Sequence, residues 1–156
     1  MALKTRVQLP PPPPFYKMRL YNIHGRLVNK SVSKYLIDWD GKCRSKFQFQ
    51  VKQFFKDFWK YQICYEEFPV YGTRMKVDII NATKKIAVEV NGDQHSSYNK
   101  FFHGGSRANY LKSIKRDWKK TEWLEKNNFE LIEIYPKDLN KLSPEYIEKK
   151  CSVTII

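Results

Sequence analysis

The chain has 156 residues, 29 Lys and Arg against 16 Asp and Glu, and a net charge of +13 with a pI near 9.6. That length suits one compact unit with tails, and the charge favours a polyanion such as DNA or RNA over an acidic or neutral partner. No apolar run approaches the roughly 18 residues of a spanning helix and no signal-peptide core is visible, so a soluble, intracellular protein without a membrane partner is expected.

In chain order, residues 1–14 end in five prolines, Pro10 to Pro14, and read as a flexible proline-rich arm in extended polyproline II. Residues 15–44 form a basic aromatic extension, with Phe15, Tyr16, Tyr21, Tyr35 and Trp39 interleaved among Lys and Arg. This segment suits contact with phosphates and bases, and equally a small folded cap on the main core. Cys43, Cys64 and Cys151 are odd in number and far apart, so reduced thiols are expected, and nothing in their spacing with His24 or His103 argues for zinc.

From Ser45 the periodicity sharpens. Ser45 with Gln48 three residues on reads as a capping box, and Phe47, Val51, Phe54, Phe55 and Phe58 recur at helical spacing. The runs CYEEFPV and RMKVDII read as strands joined by a turn at Gly72, and IAVEVN as a third strand. A helix follows from about Arg107 to Asn127, with Leu111, Ile114, Trp118 and Leu124 on one side. FELIEIYP closes as a strand stopped by Pro136, and SPEYIEKK as a short helix with Pro in its first turn. The order is α-β-β-β-α-β over residues 45–140, with residues 141–156 a C-terminal helix and tail.

The chemistry sits in the middle strands. Strict alternation would put Val77 and Ile79 on one face, and Lys76, Asp78 and Ile80 on the other; likewise Ile86, Val88 and Val90 oppose Ala87, Glu89 and Asn91. With an even-numbered loop, for instance the two residues Ala82 and Thr83, Asn81 would face Lys84, Asp78 would face Ala87, and Glu89 would be its diagonal neighbour, about 7 to 8 Å away. Two carboxylates so placed repel unless a cation lies between them, and Mg²⁺, content with one or two carboxylates and several waters, suits that role. Asp78 alone is also compatible with a solvated strand residue paired to Lys76 or Lys85, whereas Glu89 lies between valines in the most hydrophobic strand.

His95 follows that strand, where an imidazole could exchange a proton with water or a leaving oxygen, or simply be a surface residue. Asp117 lies among Lys115, Arg116, Lys119 and Lys120, either in intrahelical ion pairs or aimed at the sheet edge to orient His95 while its neighbours hold phosphates. Glu66 and Glu67 point to opposite faces, so one of them can join the site, and Glu67 is preferred. Gln48 is a further polar contributor from the first helix.

These residues resemble the restriction-endonuclease-like PD-(D/E)XK superfamily, in the branch of the very short patch repair (Vsr) and EDxHD homing endonucleases. The likeness rests on VDII at 77–80, VEVNGDQH at 88–95, the segment from Lys115 to Leu139, and the preceding helix and strands. It implies an α/β fold with an αβββαβ core, a mixed central sheet flanked by helices, and a metal-dependent DNA endonuclease that leaves a 5′ phosphate. By resemblance Asp78 and Glu89 would hold Mg²⁺, with Mn²⁺ substituting, while His95 and Asp117 would assist proton transfer and positioning. Lys76, Arg107, Lys112, Lys115, Arg116, Lys119 and Lys120 would grip DNA. Two departures stand out: the superfamily lysine position holds Asn91, leaving Gln94 or His95 to supply its role, and the first helix offers Gln48 and Gln50 instead of glutamate, leaving Glu67 as substitute. The structural zinc of the Vsr enzymes has no counterpart cysteines around His95, so none is expected. The alternatives are a non-catalytic nucleic-acid-binding protein on the same scaffold and a structure-selective or RNA-directed nuclease; a monomer would nick, a homodimer could cut both strands, and a phage, mobile-element or repair setting would suit either.

Overall fold

The computed structural model describes residues 17–92 and 107–156, and the proline-rich arm lies outside them. The architecture is mixed α/β. A β-hairpin, β1 (Lys17–Tyr21) and β2 (Leu27–Ser31), leads through a short 3-10 turn to α1 (Lys46–Trp59). Then come β3 (Cys64–Pro69), β4 (Lys76–Asn81), β5 (Ile86–Val90), α2 (Arg107–Lys126), β6 (Glu130–Ile134) and α3 (Pro144–Cys151). The main sheet has the order β3-β4-β5-β6, antiparallel up to β5, with β6 parallel to β5. A parallel pair needs a crossover, and α2 is that crossover.

Both faces of the sheet are covered. On one, Val51, Phe55 and Trp59 of α1 pack with Ile79, Val88 and Ile132, and α3 and the C-terminal tail join through Ile147, Val153 and Ile155. Trp59 Nε1 donates to the Ile155 carbonyl at 2.9 Å, fastening the tail to α1. On the other face, Trp123 and Leu124 of α2 pack with Ile80 and Ala87, and the hairpin closes over them through Leu20. The backbone of Tyr21 is held by Asn127 and by Trp123 Nε1, the latter at 2.6 Å, so residues from Lys17 onward form a folded cap on the core. α2 ends at Asn128, whose φ of 63° is the left-handed exit that Asn tolerates. At the β3–β4 turn Gly72 has φ +88°, with Ile23 packed where a side chain would project. Among the described residues no helix is long and apolar enough to cross a membrane.

Four sequence expectations need correction. Ser45 does cap α1, accepting from the Gln48 amide at 3.1 Å, but the Gln48 side chain does not close a capping box: it donates to Glu67 Oε1 at 3.0 Å, a charged acceptor and a better one. The β4–β5 loop has four residues, not two, with Asn81 opposite Ile86. Asn81 Oδ1 accepts from the Lys84 amide and Lys85 takes a left-handed φ of 59°, which adds two residues to the turn. Third, alternation breaks in mid-sheet: Val77 packs with Ile80 beneath α2, while Ile79 faces α1. The break coincides with Glu67, on the neighbouring strand, at φ 50°. Finally, Leu111, Ile114 and Trp118 are exposed, Trp118 at 70%. A 20-residue helix runs about 30 Å against about 17 Å for a five-residue strand. Its last turns, bearing Trp123 and Leu124, rest on the sheet.

Candidate active site

The corrected register brings the acids closer together than sequence alone suggested. Continuing the β3–β4 and β4–β5 pairings by one step sets Glu67 opposite Asp78, and Asp78 opposite Glu89; on the far side Glu89 pairs with Glu133 of β6. A row of four carboxylates thus crosses the sheet where β4 and β5 part. Val90 N, the next donor after the last paired residues, turns to Asp78 Oδ2 at 2.7 Å in place of a ladder carbonyl. Asp78 is therefore fixed by the backbone of the strand that carries Glu89.

Both central acids are buried, Asp78 at 4% and Glu89 at 8% exposure. Arg44, in the loop before α1, brings Nη2 to 2.9 Å from Asp78 Oδ1 and 3.4 Å from Glu67 Oε1. Lys120 of α2 puts Nζ 2.8 Å from the buried Glu89 Oε1. Burial, and then the Asp78 charge, push the Glu89 carboxyl well above the ordinary carboxylate range, against the pull of Lys120. The left-handed backbone at Glu67 adds local strain of the order of 1 to 3 kcal/mol, of the kind that persists where surrounding contacts over-determine it.

The acids open onto a cleft of about 460 Å³. Glu67, Asp78, Glu89 and Asp117 line it together with Asn91, and Arg44, Lys76, Arg116 and Lys120 ring it with positive charge. Beside it a smaller hollow of about 80 Å³ shares Glu89, Asn91, Asp117 and Lys120, and adds Glu133 and Tyr135. There Tyr135 donates to Glu133 Oε2 at 2.7 Å and the Asn91 amide reaches the same oxygen at 3.4 Å. Burial and the Glu133 carboxylate push the Tyr135 phenol up to about 12, which keeps it a donor at neutral pH.

Of the residues singled out from sequence, Asp78, Glu89, Glu67, Asn91, Asp117, Lys76, Arg116 and Lys120 meet at this cleft. Glu66 goes the other way, to the buried Lys52 at 2.6 Å beneath α1. Lys119 faces a separate hollow between α2 and the hairpin, with His24, Trp123 and Lys126. Lys112 and Lys115 are exposed on α2, and Arg107 begins that helix. Gln94 and His95 lie outside the described residues. Arg44, Glu133 and Tyr135 were not anticipated. Arg44 sits in a polar loop with no periodicity to mark it, and Glu133 could have been found by the test that exposed Glu89, a carboxylate inside a β-branched run.

No family model and no solved structure matches the chain. It is 34% identical over 77 residues to uncharacterized protein 033L of Invertebrate iridescent virus 3, a stretch that makes up 49% of this chain. The match spans 39% of the length of that viral protein. That relative carries no stated activity, so the chemistry of the cleft rests on the residues described above.

Proposed function

We propose that the chain is a metal-dependent DNA endonuclease with a restriction-endonuclease-like core, hydrolysing phosphodiester bonds in the acidic cleft. The observation that carries this reading is the pair Asp78 and Glu89: neighbouring strands present two buried carboxylates to one open cleft. Such an arrangement destabilises a fold unless a cation uses it. The element order α-β-β-β-α-β and the parallel β5–β6 pair support the core assignment. The net charge of +13 supports a polyanionic substrate.

The donor set fits a hard divalent cation. Asp78 Oδ1 and Glu89 Oε1 are hard oxygen ligands held by rigid strands, and Glu67 stands beside them. Among the described residues no three His, Cys, Asp or Glu side chains are grouped to hold a metal ion, so the reading rests on the pair Asp78 and Glu89, with water completing the shell of an ion such as Mg²⁺. Asp78 and Glu89 would hold the ion, displacing Arg44 and Lys120, and the bound ion would polarise the phosphate and acidify a water. The remaining work falls to the chain. Arg116 and Lys76 at the rim bind the flanking phosphates, Arg44 meets the strand as it enters, and Asp117 directs polar groups at the mouth. In the reaction a water oxygen bonds to phosphorus and the P–O3′ bond breaks. One proton leaves the water for a base and one is taken up by O3′, leaving a 5′ phosphate.

A second reading, a nucleic-acid binder without catalysis, is favoured by two observations: Asn91 stands where a lysine would be expected by resemblance, and Arg44 and Lys120 already neutralise the acids. The two separate on substrate panels. Incubating the protein with linear, branched and single-stranded DNA and with RNA, over a titration of Mg²⁺ and Mn²⁺, should give metal-dependent cleavage of DNA. Retention of every substrate uncut, with binding intact, would establish the binder; preferential cleavage of RNA would reassign the substrate.

A further inference from the structure

We propose that Lys120 is the catalytic cation of the cleft, delivered from α2 to the place where β5 offers only Asn91; this rests on the endonuclease reading. Asn91, two residues beyond Glu89 on the same side of the strand, is turned toward β6, where its amide reaches Glu133 Oε2, the oxygen that also accepts from Tyr135. The strand thus brings no positive charge to the acids. Lys120 does, from the opposite wall. Its ammonium lies 2.8 Å from Glu89 Oε1, its side chain is only 18% exposed, and it lines both the large cleft and the small hollow behind it. Arg44, the other cation in contact with these acids among the described residues, is 69% exposed and straddles Asp78 and Glu67 at the mouth. Lys120 is therefore the inner cation.

The contact it makes is easily exchanged. Glu89 Oε1 lies 2.8 Å from Nζ and engages one of the three ammonium protons, so two retain capacity for another acceptor. A phosphodiester in the cleft supplies that acceptor in a non-bridging oxygen, toward which Lys120 would turn from Glu89. Its part is a fixed positive charge set where charge accumulates on phosphorus oxygens during attack, with no proton exchanged. Without substrate the same ammonium neutralises Glu89 and competes with any metal for it.

The test uses the full chain, parent against Lys120→Met and Lys120→Arg, with folding checked by circular dichroism and thermal melting. Single-turnover cleavage of supercoiled plasmid in Mg²⁺ is read beside Mn²⁺ binding by calorimetry without DNA. Lys120→Met should cut about 100- to 1,000-fold more slowly with half-saturating DNA changed less than about threefold. It should also bind Mn²⁺ at least as tightly as the parent, because a competing cation is gone. Lys120→Arg, which keeps the charge, should stay within about tenfold of the parent. The proposal is overturned if Lys120→Met cuts within threefold of the parent, if its defect lies wholly in DNA binding, if Mn²⁺ binding weakens about tenfold with the rate, or if folded Lys120→Arg is as slow as Lys120→Met. A parent that cuts nothing in either metal overturns the endonuclease reading itself, and this proposal with it.

Discussion

Glu89→Gln should make the protein more stable while removing the chemistry. Glu89 is 8% exposed, and burial together with Asp78 raises its pKa well above the usual value. The sign follows from proton counts. Between the ordinary carboxylate value and the raised native value, the folded state binds more protons than the unfolded one, so stability falls as pH rises through that window. Above the ordinary carboxylate value the parent therefore carries a growing cost for keeping this group buried. Glutamine has the same shape and no charge, and Lys120, already part-exposed, can turn to solvent. Replacing imperfect buried ionic groups with neutral ones of similar volume is neutral to stabilising by about 1 to 4 kcal/mol. Here one partner remains, so the low end, about 1 kcal/mol, applies. For a chain of this size that corresponds to a thermal midpoint about 2 to 4 °C higher at pH 7.5. At pH 4 the difference should vanish, since the parent is then protonated too. Differential scanning fluorimetry at both pH values, with plasmid cleavage alongside, makes the check. A Glu89→Gln midpoint several degrees below the parent at pH 7.5 would refute the reasoning, because Glu89 would then be a net stabilising ion pair.

Other consequences are separable. Asp78→Asn should lower cleavage by at least about 1,000-fold while DNA affinity, read by anisotropy at fixed salt, changes less than fivefold. Arg116→Gln should weaken binding to all DNA sequences alike and flatten the slope of log affinity against log salt by about one. Asp138→Asn should cost about 2 to 4 kcal/mol in urea unfolding at pH 7, because the buried carboxylate binds the Tyr135 amide, the Tyr146 hydroxyl and Lys150. Although burial opposes it, those bonds lower the Asp138 pKa, so its contribution is present above about pH 4 and lost as pH falls through the native value. The parent and Asp138→Asn curves should therefore converge as pH falls below the native value.

The parts of the structure legible in sequence were those written as periodicity or as a conflict. Phe47, Val51, Phe54, Phe55 and Phe58 at helical spacing marked the face of α1, and β-branched runs marked β4 and β5. Glu89 declared itself because a carboxylate amid valines contradicts burial, and Asp78 followed by adjacency. The register of β4 on β5 was misread because it depends on Lys85 in a left-handed conformation, a choice that carries no Gly or Asn signal. Break of alternation at Val77 was hidden for a related reason, since it coincides with the backbone of Glu67 on the next strand. Leu111, Ile114 and Trp118 have the spacing of a core stripe, yet spacing along a helix does not say where the sheet beneath it ends. Arg44 escaped notice because its partners, Asp78 and Glu67, are 34 and 23 residues away and meet only in the folded sheet.

The most direct measurement of the central claim is conversion of supercoiled plasmid to nicked or linear product by purified parent, Asp78→Ala and Glu89→Ala proteins, with Mg²⁺, with Mn²⁺ and with a chelator. The account predicts cleavage by the parent in either metal, none with chelator, and none by either variant even though both still bind DNA. Cleavage by either alanine variant at the parent's rate, or by the parent with all divalent metal removed, would contradict it.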